Sequence, residues 1–194
     1  MSKKKILERP SVKVIEKELK RVRYKSRYRT VLKSTLYTLI TVAAIAVLVA
    51  TLWLPVLQIY GSSMTPTLKD GQIIVSVKTA QFEPGDIVAF YYNNKILVKR
   101  VIAKQGDWID IKEDGTVYVN DVLLNEPYVE ELALGETNIE LPYQVPDGRL
   151  FVMGDHRSTS VDSRNTAMGC VAEEQIVGKI VFRFYPFDEM GEIH

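Results

Sequence analysis

The sequence predicts a mainly β protein: a single N-terminal transmembrane helix followed by an antiparallel β-sheet domain. Three observations carry this. Ser34 through Tyr60 is a run of 27 residues without a charge. Beyond it, short β-branched runs alternate with Gly, Pro, Asn and Asp turn signals. Charge is also sharply divided although the net value is only +1: residues 1–33 hold 13 Lys and Arg against Glu8, Glu16 and Glu18, whereas residues 34–194 hold 12 basic and 21 acidic side chains.

In the basic arm, Val12, Ile15, Leu19 and Val22 recur at helical spacing among Lys13, Lys17, Lys20, Arg21, Arg23 and Lys25. A short amphipathic helix on the inner membrane surface and a solvated basic tail both fit that pattern. Because the arm directly precedes an apolar run, it reads as a cytoplasmic flank held by anionic headgroups and not as a nucleic-acid patch. At about 1.5 Å per helical residue the uncharged run reaches roughly 40 Å, more than the ~30 Å hydrocarbon core. Pro55 marks its outer end, which sets the span at Val31–Leu54 with Trp53 and Tyr60 near the outer interface. The apolar stretch exceeds the ~7–15 residues of a cleavable leader and no small-x-small site closes it, so it is a retained anchor with its N-terminus inside. The expected organisation is therefore a basic cytoplasmic segment (1–30), a transmembrane helix (31–54) and an extracytoplasmic domain (55–194).

Within that domain, strands are expected at Ile73–Val77, Ile87–Tyr92, Ile96–Ile102, Arg149–Met153 and Ile176–Tyr185. Glu83-Pro84-Gly85-Asp86 and Asn93-Asn94 supply turns, and Thr116–Val119, Asn120-Asp121 and Val122–Leu124 form a hairpin pattern. Glu173-Glu174-Gln175 reads as a helical turn. An acidic insert at about 107–148 contains no basic residue from Glu113 to Gly148 and carries Glu126, Glu130, Glu131, Glu136 and Glu140. With no calcium-loop spacing among them, these read as solvated loop carboxylates. Cys170 is the sole cysteine, so no intrachain disulfide forms, and between Gly169 and Val171 it reads as a small buried hydrophobe.

The chemistry-bearing residues are a serine and a lysine. Serine is a weak nucleophile and needs a partner to take its proton. Ser63 lies just past the anchor, in Gly61-Ser62-Ser63-Met64-Thr65-Pro66-Thr67-Leu68. Two bases compete. His156 would make a histidine triad, but it sits in a Gly-Asp-x-Arg turn that looks built for loop structure. Lys99 lies in the apolar strand Ile96–Ile102, where burial disfavours its charged form and brings its pKa toward neutrality. Strand alternation puts Lys99 and Arg100 on opposite faces, one inward and the other toward solvent. A serine with a lysine base at the outer mouth of a membrane anchor reads as a membrane-bound peptidase.

These segments closely resemble the type I signal peptidases, of the Gram-positive-like, serine–lysine branch. The likeness covers about residues 30–186 and rests on four motifs in order. They are Gly61-x-Ser63-Met64-x-Pro66-Thr67-Leu68, Pro84-Gly85-Asp86-Ile87-Val88, Lys99-Arg100 with Gly106-Asp107, and Gly154-Asp155-x-Arg157 through Ser160-x-Asp162-Ser163-Arg164. The resemblance implies Ser63 as nucleophile and Lys99 as general base, with Ser160 hydrogen-bonded to the lysine. It further implies that Asp155, Asp162 and Arg164 brace the active-site floor through ion pairing. The oxyanion hole falls to the Ser63 backbone and the Gly61 region, since Gly61 stands where some relatives carry an assisting hydroxyl. Ile59, Met64, Leu68, Leu97 and Val98 are implied to line apolar pockets for Ala-x-Ala cleavage sites. The final box departs from the frequent Gly-Asp-Asn-Arg-Asp-Asn-Ser at His156, Ser158 and Thr159.

The implied activity is removal of signal peptides from secretory preproteins at the bacterial plasma membrane. Lipid and the export translocon are the implied surroundings; no metal, cofactor or nucleic acid is implied. The competing readings are a catalytically inactive signal-peptide-binding protein and a self-cleaving Ser–Lys peptidase of the LexA/UmuD type.

Overall fold

The computed structural model describes residues 11–79 and 81–193, with backbone alone for residues 51–53. The first ten residues of the basic arm, the Trp53 ring assigned to the outer interface, and His194 lie outside this description. The chain divides into two units, Met1–Val49 and Ala50–His194.

Helix α1 runs unbroken over Val12–Trp53, 42 residues. Nothing between these ends is Gly or Pro, so no residue interrupts the backbone ladder. The segment read as either an amphipathic helix or a solvated tail is thus helical and continuous with the apolar run. Its apolar stretch is long enough to cross a membrane. Thr30, Thr38 and Thr41 return their hydroxyl protons to the carbonyls of Ser26, Ser34 and Tyr37, so these polar groups need no partner outside the helix. The ladder closes with Leu54 N–H on Ala50 C=O, and Pro55 turns the chain out of it.

The remainder is antiparallel sheet. The larger sheet holds β1 (Val56–Gln58), β2 (Ile73–Val77), β3 (Ile87–Tyr92), β4 (Lys95–Lys104), β9 (Arg149–Met153), β10 (Val171–Ala172), β11 (Ile176–Tyr185) and β12 (Gly191–Glu192). Its order is β1-β2-β11-β3-β4-β9-β10, with β12 beside β11. A smaller sheet, in the order β7-β6-β5-β8, holds β5 (Trp108–Ile111), β6 (Val117–Val119), β7 (Val122–Leu123) and β8 (Tyr143–Gln144). The acidic insert is therefore a structured second sheet. Two-residue hairpins join β3 to β4 and β6 to β7; Asn93, Asn94, Asn120 and Asp121 all have positive φ, the geometry that matches strand twist.

Two features place the site. Ile59, Met64 and Leu68 are buried against Ile74, Ile87, Ala89 and Ile180, which pins the loop after β1 onto the larger sheet. Each such side chain contributes about 1.5–3 kcal/mol by leaving water. On β4, pairing with β9 begins only at Arg100, whereas among the described residues Lys95–Lys99 pair with β3 alone. That half of β4 presents an unpaired edge.

Candidate active site

Ser63 occupies a tight turn in the loop between β1 and β2. Ile59 N–H donates to Gln72 C=O, Gly71 N–H to Ile59 C=O and Leu68 N–H to Met64 C=O, at 2.8–2.9 Å. Thr65 donates to the Ser62 carbonyl twice, from its backbone N–H at 3.1 Å and from its hydroxyl at 2.8 Å. The Ser63 carbonyl is held from outside the loop by His156 N–H at 3.1 Å. Ser63 itself is half-buried. Its own N–H has no acceptor among the described residues and is free to serve a ligand.

Gly61 adopts φ +87°, in the region that favours glycine. Its N–H donates to Asp70 Oδ1 at 2.7 Å, which commits that group elsewhere. The Gly61 position contributes open space and no free donor, whereas the Ser63 N–H remains uncommitted among the described residues.

Lys99 stands on β4 opposite Val88, only 4% exposed. It makes no ion pair among the described residues. Burial brings its pKa down to about 8; Asp162 and Asp155 pull upward and Arg164 pushes further down. The two carboxylates fail to restore the ammonium because each is already clamped. Asp162 takes Arg164 Nε at 2.8 Å and Nη2 at 2.9 Å, plus Gly154 N–H at 3.0 Å. Asp155 takes Arg100 Nε at 3.0 Å and Nη2 at 2.8 Å, plus the Thr67 hydroxyl at 2.5 Å. Forked guanidinium pairs of this kind fix carboxylate geometry as well as charge. Burial opposes ionisation of Asp162, but its Arg164 partner prevails and holds its pKa below the ordinary range.

Arg100 corrects the sequence reading. Alternation does place it opposite Lys99, but it is 1% exposed and does not reach solvent. Besides Asp155 it donates to Gly85 C=O at 2.8 Å and lies 3.9 Å over the Tyr128 ring. A neutralising carboxylate and an aromatic face replace the water it was expected to find. Glu126 is a second correction: it is no solvated loop carboxylate but a buried bidentate partner of Arg157. Glu130, Glu131, Glu136 and Glu140 are exposed. Cys170 is 5% exposed in the core, where burial raises its thiol pKa.

Ser160 is buried, and Gly154 is the point where it meets Ser63. A Cβ at Gly154 would collide with both the Ser160 hydroxyl and the Ser63 carbonyl. The Ser160 hydroxyl helps to hold the Asp162 carboxyl low, yet it makes no hydrogen bond of full geometry among the described residues. The bond to Lys99 that the resemblance implied is thus not made here. His156 is engaged elsewhere: its Nδ1 lies 3.2 Å from Thr65 Oγ1, and its side chain makes no hydrogen bond to Ser63.

Ser63 and Lys99 line one cleft of about 690 Å³, between residues 56–64 and the unpaired edge 95–99 of β4. Ile59, Met64, Leu97 and Val98 are on its wall. Leu68, expected among them, is fully buried in the core below and does not reach it. Sequence reasoning missed Thr65, Thr67, Glu126 and Tyr128 as supports of the site. Thr67 was within the motif; Glu126 and Tyr128 gave no local signal.

A family model described as signal peptidase, peptidase S26, matches residues 32–185. Signal peptidase I U of Bacillus subtilis (strain 168) is 38% identical over 167 residues, covering 80% of this chain and 88% of its own. Signal peptidase IB of Staphylococcus aureus (strain COL) is 42% identical over 151 residues, covering 68% of this chain and 78% of its own. A solved signal peptidase I from Enterococcus faecalis V583 is 29% identical, with a TM-score of 0.42 over 51% of this chain and 96% of that one.

Proposed function

The chain belongs to the signal peptidase family, peptidase S26, a family of serine endopeptidases, and on that footing we propose that Ser63 and Lys99 form its catalytic dyad. The observation that carries this is Lys99 itself: buried, brought to a pKa of about 8, unpaired, and on the same cleft as Ser63. Neutral Lys99 takes the Ser63 hydroxyl proton as Oγ attacks the scissile carbonyl. The Ser63 N–H receives the oxyanion. The lysine ammonium then protonates the leaving amine, and neutral Lys99 later activates the water that releases the acyl group. Ser160, Asp155, Asp162 and Arg164 keep the floor rigid and the nearby carboxylates occupied.

The substrate is a preprotein whose signal peptide lies extended along the Lys95–Lys99 edge, its main chain completing the ladder there. Ile59, Met64, Leu97 and Val98 offer apolar walls suited to small-x-small sites of the Ala-x-Ala kind. Residues 31–54 are the membrane span, residues 1–30 its basic cytoplasmic flank, and residues 55–194 the extracytoplasmic catalytic domain, in a bacterial plasma membrane beside the translocon. Anchoring confines the enzyme to the membrane where preproteins emerge, which raises the effective concentration of substrate.

The test is cleavage of an Ala-x-Ala preprotein in liposomes by wild type, Ser63→Ala and Lys99→Ala. Wild type cuts at that site and both variants are inactive. Activity in Lys99→Ala together with its loss in His156→Ala would move the base to the histidine. Binding without cutting by wild type would make the chain a signal-peptide-binding protein.

A further inference from the structure

The loop around Ser63 contains a hydrogen-bond chain that the dyad does not use. The Thr65 hydroxyl has one proton, and its 2.8 Å contact to the Ser62 carbonyl takes it. Toward His156 Nδ1, 3.2 Å away, Thr65 Oγ1 is therefore the acceptor. That assigns the proton of the ring to Nδ1, and the direction of donation runs His156 Nδ1–H to Thr65 Oγ1–H to Ser62 C=O. The Ser62 carbonyl belongs to the same peptide unit as the Ser63 N–H. A second bond, from Thr65 N–H at 3.1 Å, fixes the plane of that unit.

Donation to a peptide carbonyl polarises the amide and strengthens its N–H as a donor. We infer that Thr65 and His156 are positioning residues which orient and polarise the Ser62–Ser63 peptide, so that its N–H meets the developing oxyanion. This rests on the reading of Ser63 as nucleophile. It gives His156 a part in the reaction that is not proton abstraction. It also supplies what Gly61 does not, since the Gly61 N–H is held by Asp70 and Gly61 bears no side chain.

The size of the effect follows from two general magnitudes. An oxyanion donor is worth about 10²–10³-fold in rate. Cooperative strengthening amounts to roughly 10–30% per bond, so loss of the Thr65 hydroxyl lowers kcat by roughly two- to eight-fold.

The experiment measures kcat and KM for wild type, Thr65→Val, Thr65→Ser, His156→Ala and the Thr65→Val/His156→Ala double variant, with Ser63→Ala as control. Thr65→Val lowers kcat with KM unchanged, and Thr65→Ser recovers it. His156→Ala lowers kcat by less, and the double variant matches Thr65→Val alone, because His156 acts only through Thr65. Unchanged kcat in Thr65→Val or His156→Ala overturns the inference, as does a change confined to KM or additive losses in the double variant. Should Thr65→Val fail to fold, His156→Ala still decides by its kcat at constant KM. Residual cleavage by Ser63→Ala would instead sink the assignment of the nucleophile.

Discussion

Replacing Lys99 by methionine stabilises the protein at neutral pH, and the gain shrinks as pH rises. The folded-state pKa of about 8 lies below the ordinary 10.5. The ammonium is thus less welcome in the fold than in the unfolded chain. Below pH 8 both states bind the proton and the fold bears the whole penalty. Between 8 and 10.5 the folded state has released its proton while the unfolded state retains it, so stability rises with pH. At 1.36 kcal/mol for each tenfold change in the equilibrium, the penalty is about 3 kcal/mol at pH 7 and about 1 kcal/mol at pH 10. Methionine fills the space of the lysine stem and does not titrate. For a chain of this size 1 kcal/mol corresponds to about 2–4 °C, so Lys99→Met raises Tm by roughly 6–12 °C at pH 7 and by only a few degrees at pH 10. Thermal unfolding of the detergent-solubilised protein at the two pH values reads this directly. A Tm gain independent of pH, or a loss at pH 7, would refute the burial of a depressed lysine.

With Lys99 as the proposed base the same titration sets the rate: kcat/KM is expected to rise about tenfold per pH unit below pH 8 and to level above it, in His156→Ala as in wild type, as a pH–rate profile will show. Arg164→Met unclamps Asp162, whose carboxylate then favours the Lys99 ammonium, so the midpoint of that profile moves upward. Gly154→Ala drives a methyl group into the Ser63 carbonyl and the Ser160 hydroxyl, and kcat falls on the order of a hundred-fold in a single-turnover assay.

The strands that the sequence announced are those with their own local signal. β2, β3, β9 and β11 occupy the predicted residues because β-branched runs there end at clear turns. Glu173–Gln175 forms the predicted helical turn, as a 3-10 element. β1 was hidden in the uncharged run beyond Pro55, where Val56–Gln58 is only three residues long, too short to show a period. β5 was masked by Asp107 and Asp110, though Trp108-Ile109-Asp110-Ile111 alternates as a strand should. β8 and β10 have two residues each, too few for any period. At the site, the serine, the lysine and the final box were legible as motifs. The fates of Arg100 and Glu126 were not. Each is decided by a partner 55 or 31 residues away, a pairing that no local pattern encodes.

The bare half of β4 is also a hazard that the protein must live with. A five-residue edge whose alternate residues present unpaired main-chain groups invites any extended segment, including the same edge of another molecule. Lys95 begins this stretch with an exposed charge that blunts stacking of one copy on another. An edge proposed to take substrate in extended form has also to refuse its own kind, and the exposed Lys95 at its start works against such self-pairing.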